Sequence, residues 1–290
     1  MFKLRGSFLL SLLLLTACTE ETISKEPIQE EKDDNIVVTN DGKITFEIKN
    51  KVGVPQEKVE AIKDEIVTAY DHIKDSIHTS YTPSEHISVW LKEDGQSWGL
   101  ASKIELAGVK EDLYPLVHEM THSLLGYGNN FDTDNGYFTQ EGFASYMEYQ
   151  YGKNKLYFDK YMKQYMESDK LIPISRLIDQ NQDDVYFRPK LSNVKENQVL
   201  MEVSYTHAAS FVIYLIDTYG LEKFEQIYDK KELAKKLEEV YGKNSSELEK
   251  DWLAFIQNQQ GFTYEEKLKW GFYDMNTILL QIDPTYFAKD

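Results

Sequence analysis

The chain has one cysteine, Cys18, in 290 residues. No disulfide can form within it, and no cysteine is left to serve as a metal ligand in the body of the protein. Positive charge is also scarce: 32 Lys and Arg stand against 49 Asp and Glu, a formal net charge of -17. Such a surface repels phosphates and anionic headgroups, which excludes nucleic acid as an expected partner and argues against electrostatic adsorption to a membrane. The six histidines do not form the His-rich tract expected of a metal-trafficking protein. Internal repeats and low-complexity segments are missing from the body of the chain.

Long hydrophobic runs are wanting too. The apolar stretch Phe8 to Leu15 follows Lys3 and Arg5. It is too short for a comfortable bilayer span and has the proportions of a signal-peptide core. It ends Leu15-Thr16-Ala17-Cys18, which resembles the bacterial lipoprotein cleavage box, with the Cys18 thiol as the lipid acceptor. The expectation is a signal peptide over 1–17 and lipid on Cys18, with the protein anchored at the outer face of a bacterial cell membrane. Residues 18–40 are acidic and lack apolar periodicity, and read as a disordered tether. The remaining 41–290 are enough for one large domain or two subdomains sharing a core.

Within that part, Ile44 to Lys49 alternates as a strand does. Val59, Ile62, Ile66, Ile73 and Ile77 keep helical spacing, with Pro55 suited to the first turn. His86 to Leu91 reads as a second strand, and Ser97 to Ala107 contains a third. Residues 139–167 read as two helical segments broken near Gly152, Ile172 to Asp184 as irregular connection, and Tyr205 to Tyr219 as a strong helix stopped by Gly220. From 221 to 272 the pattern is helical with charged outer faces. The last residues, from 273, are uninformative.

The stretch around which this is organised is Leu113 to Leu125, which contains His118-Glu119-Met120-Thr121-His122. On a helix, i and i+4 share a face, so His118 and His122 aim two imidazoles at one point. Zinc accepts histidine nitrogen and carboxylate oxygen, and its hydrolytic sites use three protein ligands and keep a position for water. Glu119 lies beside the first ligand, where it would take a proton from that water. Eighteen residues separate His122 from Glu141, and a Gly- and Asn-rich turn from Gly126 to Gly136 lets a second helix fold back. Glu141 would then complete a His, His, Glu set. Asp132 to Gly136 has neither the spacing nor the twelfth-position Glu of a calcium loop, and reads as a polar turn.

The His-Glu-x-x-His, the gap and the Glu141-Gly142-Phe143-Ala144-Ser145-Tyr146-Met147-Glu148 surroundings resemble the gluzincin metallopeptidases, nearest the aminopeptidase branch and its peptidase-MA-like relatives. The similarity covers roughly 85–258. It implies an α+β fold: a zincin-like catalytic domain with a small mixed sheet and helices in an upper part (41–126) and a mostly helical lower part (127–290). It also implies a Zn2+ ion, hydrolysis of peptide or protein substrates, and a site between the two parts. By position, the strand role beside the substrate falls to Gly99 to Ala107, as an exposed edge or as an internal strand. The segment from Tyr205 resembles the one carrying a transition-state-stabilising tyrosine, sixty-four residues past Glu141. A helix end near the cleft is where such a donor would sit, so Tyr205 is expected to stabilise the oxyanion; its place in an apolar stripe gives core as the lesser reading, and His207 is the rival donor. Glu148 reads either as the acceptor of a ligand imidazole's outer N–H or as a solvated charge. The Gly-Ala-Met-Glu-Asn stretch of the aminopeptidase branch has no counterpart in 95–110, so exopeptidase and endopeptidase action both stay open. The alternative of another class is a surface protein that keeps the zincin shape and binds without catalysing. His72, His78 and His86 lack partners at ligand spacing and read as surface or capped residues.

Overall fold

In a computed structural model, residues 35–126, 136–269 and 272–287 are described. The signal-peptide stretch, Cys18, the tether up to residue 34 and residues 127–135 of the turn lie outside the described residues. The expectation of a tether reaching residue 40 does not hold for its last residues. Ile36–Val38 is a strand, β1, which pairs antiparallel with β2, Thr45–Lys49, in the register Val37 to Phe46. Burial of Val37 against the sheet outweighs the polar neighbours that disguise it.

Three further strands complete a mixed sheet in the order β1-β2-β3-β5-β4, with β3 at His86–Leu91, β4 at Trp98–Leu100 and β5 at Lys103–Leu106. β2, β3 and β5 run parallel, and β4 returns antiparallel to β5. Parallel neighbours need a crossover, and helix α1, Gln56–Lys74, supplies it between β2 and β3. Its apolar stripe, Val59, Ile62, Ile66 and Ile73, is completely buried. Ser97 to Ala107 is a hairpin rather than one strand. The reversal falls on Ala101-Ser102, which carries none of the Gly or Asn that announces a tight turn. β5 is internal and β4 is an edge.

Helix α2, Leu116–Leu125, packs against α1, β4 and β5. Gly126 ends it in the left-handed conformation at φ 103°, and any Cβ there would meet the Tyr81 ring at 2.7 Å. The rest is helical: α3 (Phe138–Tyr151), α4 (Phe158–Glu167), α5 (Ile174–Leu177), α6 (Asp183–Tyr186), α7 (Val194–Tyr219), α8 (Leu221–Glu225), α9 (Leu233–Tyr241), α10 (Ser245–Gln257), α11 (Tyr264–Lys269) and α12 (Phe272–Gln281). The architecture is therefore α+β, a small mixed sheet followed by a helical half.

α5 and the start of α6 fall in the stretch expected to be irregular. They are one turn each, too short to show a period. α7 starts eleven residues before Tyr205, its first turn capped by the Asn193 side chain accepting from Lys195 N–H at 2.9 Å. Its 26 residues are long and apolar enough to cross a bilayer, yet 78% of the apolar window is buried, so α7 is the core helix of this half. α3 crosses it closely at Gly142. A Cβ at that position would lie 2.5 Å from Val212 Cγ2 and 2.8 Å from the Ala208 carbonyl oxygen. This close crossing, one residue past Glu141, fixes Glu141 against α7.

Candidate metal centre

α2 has a face of apolar anchors and a face that carries the two histidines. Leu116, Val117, Met120, Leu124 and Leu125 are buried, which leaves His118 and His122 on the remaining face. Their Nε2 atoms lie 3.1 Å apart. Glu141, in the first turn of α3, brings Oε2 to 3.3 Å from each of them. Donors 2.0–2.1 Å from a tetrahedral ion sit about 3.3 Å from one another, so the three atoms are spaced as three corners around one cation. Two histidines and a carboxylate are also a donor set that zinc accepts. His118, His122 and Glu141 are thus a buried group that can hold a metal ion.

Burial opposes the Glu141 charge, but the His122 imidazole, contacts with both histidines and Arg188 hold its carboxyl well below the usual range. Glu119 is almost buried, at 7% exposure, and its carboxylate accepts from the Gly99 backbone N–H of β4. Burial pushes that carboxyl up to about 7, the charges of Glu141 and Glu148 add to the rise, and His118 and the Gly99 N–H oppose it. Gly99 is what allows strand and helix to touch. A Cβ on it would stand 2.1 Å from the Glu119 carbonyl oxygen and 2.9 Å from His122 Cβ.

Glu148 takes neither of its expected roles. Its carboxylate, 3% exposed, accepts from the backbone N–H of His118 at 3.1 Å and from that of Val117. Pro115 provides no side-chain cap for α2, so Glu148 reaches across from α3 and caps it. The ligand helix is thereby tied to the helix carrying the third ligand.

Tyr205 lies at the site and His207 does not. The Tyr205 hydroxyl touches the Glu141 carboxylate and accepts from Arg188 Nη1. Burial and the neighbouring Glu141 charge raise the phenol well above its ordinary value, so it is a proton donor. His207 is fully buried on another face of α7, stacked on Tyr165 at 5.8 Å and edge-on to Trp252. Its Nε2 accepts from the Ile172 N–H at 3.0 Å and its Nδ1 faces the Val203 carbonyl at 2.7 Å. Both nitrogens are occupied by backbone, which makes it a structural residue.

Burial holds His207 down at about 4. An unfolded histidine titrates near 6.5. The unfolded chain therefore binds a proton that the folded chain refuses. Its contribution to stability is complete above about pH 6.5 and is lost as pH falls toward 4, on the order of 3 kcal/mol in all. Denaturant unfolding at pH 7 and pH 4.5 is expected to show a smaller acid loss in His207→Gln than in the wild type; equal losses would remove His207 from the account.

Arg188 went unnoticed in the sequence. Its guanidinium lies 3.4 Å from Glu141 Oε1, donates to Tyr205 and stacks 4.5 Å over the Tyr137 ring. It positions the third ligand and the phenol together. The available signal was compositional: only three of the cationic residues are arginine, and arginine is the cation suited to forked recognition of a carboxylate. The histidines outside the motif behave as expected. His72 stacks on Tyr151 at 4.0 Å, His78 pairs with Glu225 at 3.3 Å, and His86 is exposed at the start of β3.

His118, Glu119, His122, Glu141, Arg188 and Tyr205 line a cleft of about 330 Å³ whose walls are β4 and its preceding loop, α2 and α7. No family model, curated protein or solved structure matches the chain.

Proposed function

We propose that the protein is a zinc-dependent peptidase with a zincin-like catalytic domain, lipid-anchored through Cys18 at the outer face of a bacterial membrane. The observation that carries the reading is the convergence of His118, His122 and Glu141 within 3.3 Å, with Glu119 beside them and a cleft in front. His118, His122 and Glu141 would hold the ion. When bound there, zinc supplies Lewis acidity toward water and toward a carbonyl oxygen.

The remaining steps belong to the chain. Glu119 takes the proton of the attacking water on its carboxylate and returns it to the leaving nitrogen. Tyr205 donates its O–H to the oxygen that gains charge, and Arg188 keeps the phenol at the cleft. β4 has one side paired to β5 and is an edge of the sheet; an extended substrate adds to it as a further strand. Burial of Glu119 and Glu141 beneath the cleft floor keeps bulk water from competing for those protons.

Metal removal tests this. Full chain loaded with one equivalent of zinc is expected to cleave members of a diverse peptide mixture, read by mass spectrometry. A chelator is expected to stop cleavage and zinc to restore it. Products shortened singly from the amino end identify an aminopeptidase, and internal fragments an endopeptidase. One bound zinc with no cleavage would leave a peptidase of narrow specificity or a surface binding protein, and would favour the second.

A further inference from the structure

One carboxylate in the cleft has no assigned task. Glu202 lies on α7 three residues before Tyr205, so the two side chains leave one helix face a turn apart. It lines the cleft, as Trp98 of β4 does, and lies within electrostatic reach of His118 and Glu141. Glu141 is buried among the ligands and Glu119 is held by the Gly99 N–H. Glu202 differs from both. Its side chain reaches solvent, although the surrounding cleft walls raise its carboxyl above the usual range, and it makes no hydrogen bond or ion pair among the described residues.

Nor does this chain offer a cation to neutralise it. Among the described residues that line the cleft, Arg188 is the one with a permanent positive charge, and Glu141 and Tyr205 engage it. A ligand filling the cleft strips water from Glu202. A carboxylate desolvated without a partner is costly, whereas one that meets an ammonium or guanidinium gains a charge-assisted hydrogen bond. A neutral or acidic ligand group at that place is therefore penalised and a basic one rewarded. The strongly acidic chain as a whole draws cations toward the same cleft.

We infer that Glu202 is a specificity-determining residue that selects peptides carrying a positive group beside the bond presented to His118, His122 and Glu141. The inference rests on the peptidase reading. The positive group has two possible sources, a free α-ammonium at the end of a peptide or a Lys or Arg side chain within it.

Four peptides of equal length separate these: one with a free amino terminus and no basic residue, its acetylated form, an acetylated form with one Lys, and the same with norleucine for Lys. Affinity is read by fluorescence anisotropy on zinc-loaded full chain carrying Glu119→Gln, so that hydrolysis is not the signal. The cationic member of one pair is expected to bind about tenfold or more tightly at low salt, with the advantage shrinking as salt rises. Loss on acetylation identifies the amino terminus, and loss on replacing Lys identifies the side chain. Adding Glu202→Gln is expected to equalise the pair, and Glu202→Lys to turn the preference toward acidic peptides. Both replacements suit an exposed helical position, which circular dichroism checks. Equal affinities for all four peptides would overturn the inference, as would a preference that survives Glu202→Gln. Hydrolysis by the wild type without charge preference sinks Glu202 alone. Charge-selective binding without hydrolysis by the wild type sinks the peptidase reading alone.

Discussion

Replacing Glu119 with Gln is expected to abolish most hydrolysis while leaving metal and fold in place. Gln keeps the shape of the side chain, and its amide oxygen can still accept from the Gly99 N–H that now reaches the carboxylate. The three ligand atoms belong to other residues, so metal content is expected to stay at one per chain. On the proposed mechanism, what disappears is the group that takes and returns a proton. General acid–base groups contribute roughly 10²–10⁴-fold, equivalent to about 3–5 kcal/mol of barrier. Removing a buried carboxylate also relieves a desolvation cost, so the melting temperature is expected to hold or rise. Elemental analysis, thermal melting and kcat/KM on one cleaved peptide read the three claims separately. Wild-type turnover in the variant would mean that another base serves. Loss of metal would mean that Glu119 holds the site together and that the kinetic loss says nothing of proton transfer.

The parts of the site that were legible in the sequence are those written on one element. His118 and His122 are a turn apart on α2, and a helix period converts spacing directly into direction. Glu141 needed one more assumption, that a short turn folds α3 back, and its separation of 3.3 Å from both imidazoles agrees with that. Arg188, Gly99 and Glu148 are different. Each acts through a contact between elements distant in the chain, and no periodicity records a partner 47 residues away, as Glu141 is from Arg188. Glu148 shows the limit well. Its place on the Glu141 face was readable, but that its carboxylate meets the N-terminus of α2 depends on how α3 crosses α2.

Fold errors have the same origin. β1 is three residues long, and only pairing with β2 distinguishes it from the polar segment around it. The hairpin at Ser97 to Ala107 turns on residues with no turn preference. α7 runs back to Val194 because Val199, Leu200 and Val203 continue its buried face, while Lys195, Glu196 and Glu202 interrupt the apolar pattern on the other. The Asn193 cap was the one local sign of where it begins.

Gly99 is where fold and site meet most tightly, and Gly99→Ala is expected to damage both. An added methyl would sit 2.1 Å from the Glu119 carbonyl oxygen, a backbone atom that no rotamer change can move, and 2.9 Å from His122 Cβ. Relief requires β4 and α2 to part. β4 is an edge strand of three residues, so it is the element that yields, lifting from β5 at the Gly99 and Ile104 pair. Overpacking commonly costs about 1–3 kcal/mol, and a clash between two backbones belongs at or above the top of that range. The displacement also withdraws the Gly99 N–H from Glu119 and presses on the helix segment carrying His122. Metal affinity is therefore expected to fall about 10–100-fold, the scale of lost outer-shell support. Gly142→Ala is the informative comparison. Its added methyl meets Val212 Cγ2 and the Ala208 carbonyl oxygen in the α3–α7 crossing, away from β4. Denaturant unfolding and competitive zinc titration of the two variants then separate general overpacking from damage transmitted through β4. If Gly99→Ala bound zinc as tightly as the wild type, the contact between β4 and the ligand helix would be packing alone, with no part in holding the metal centre.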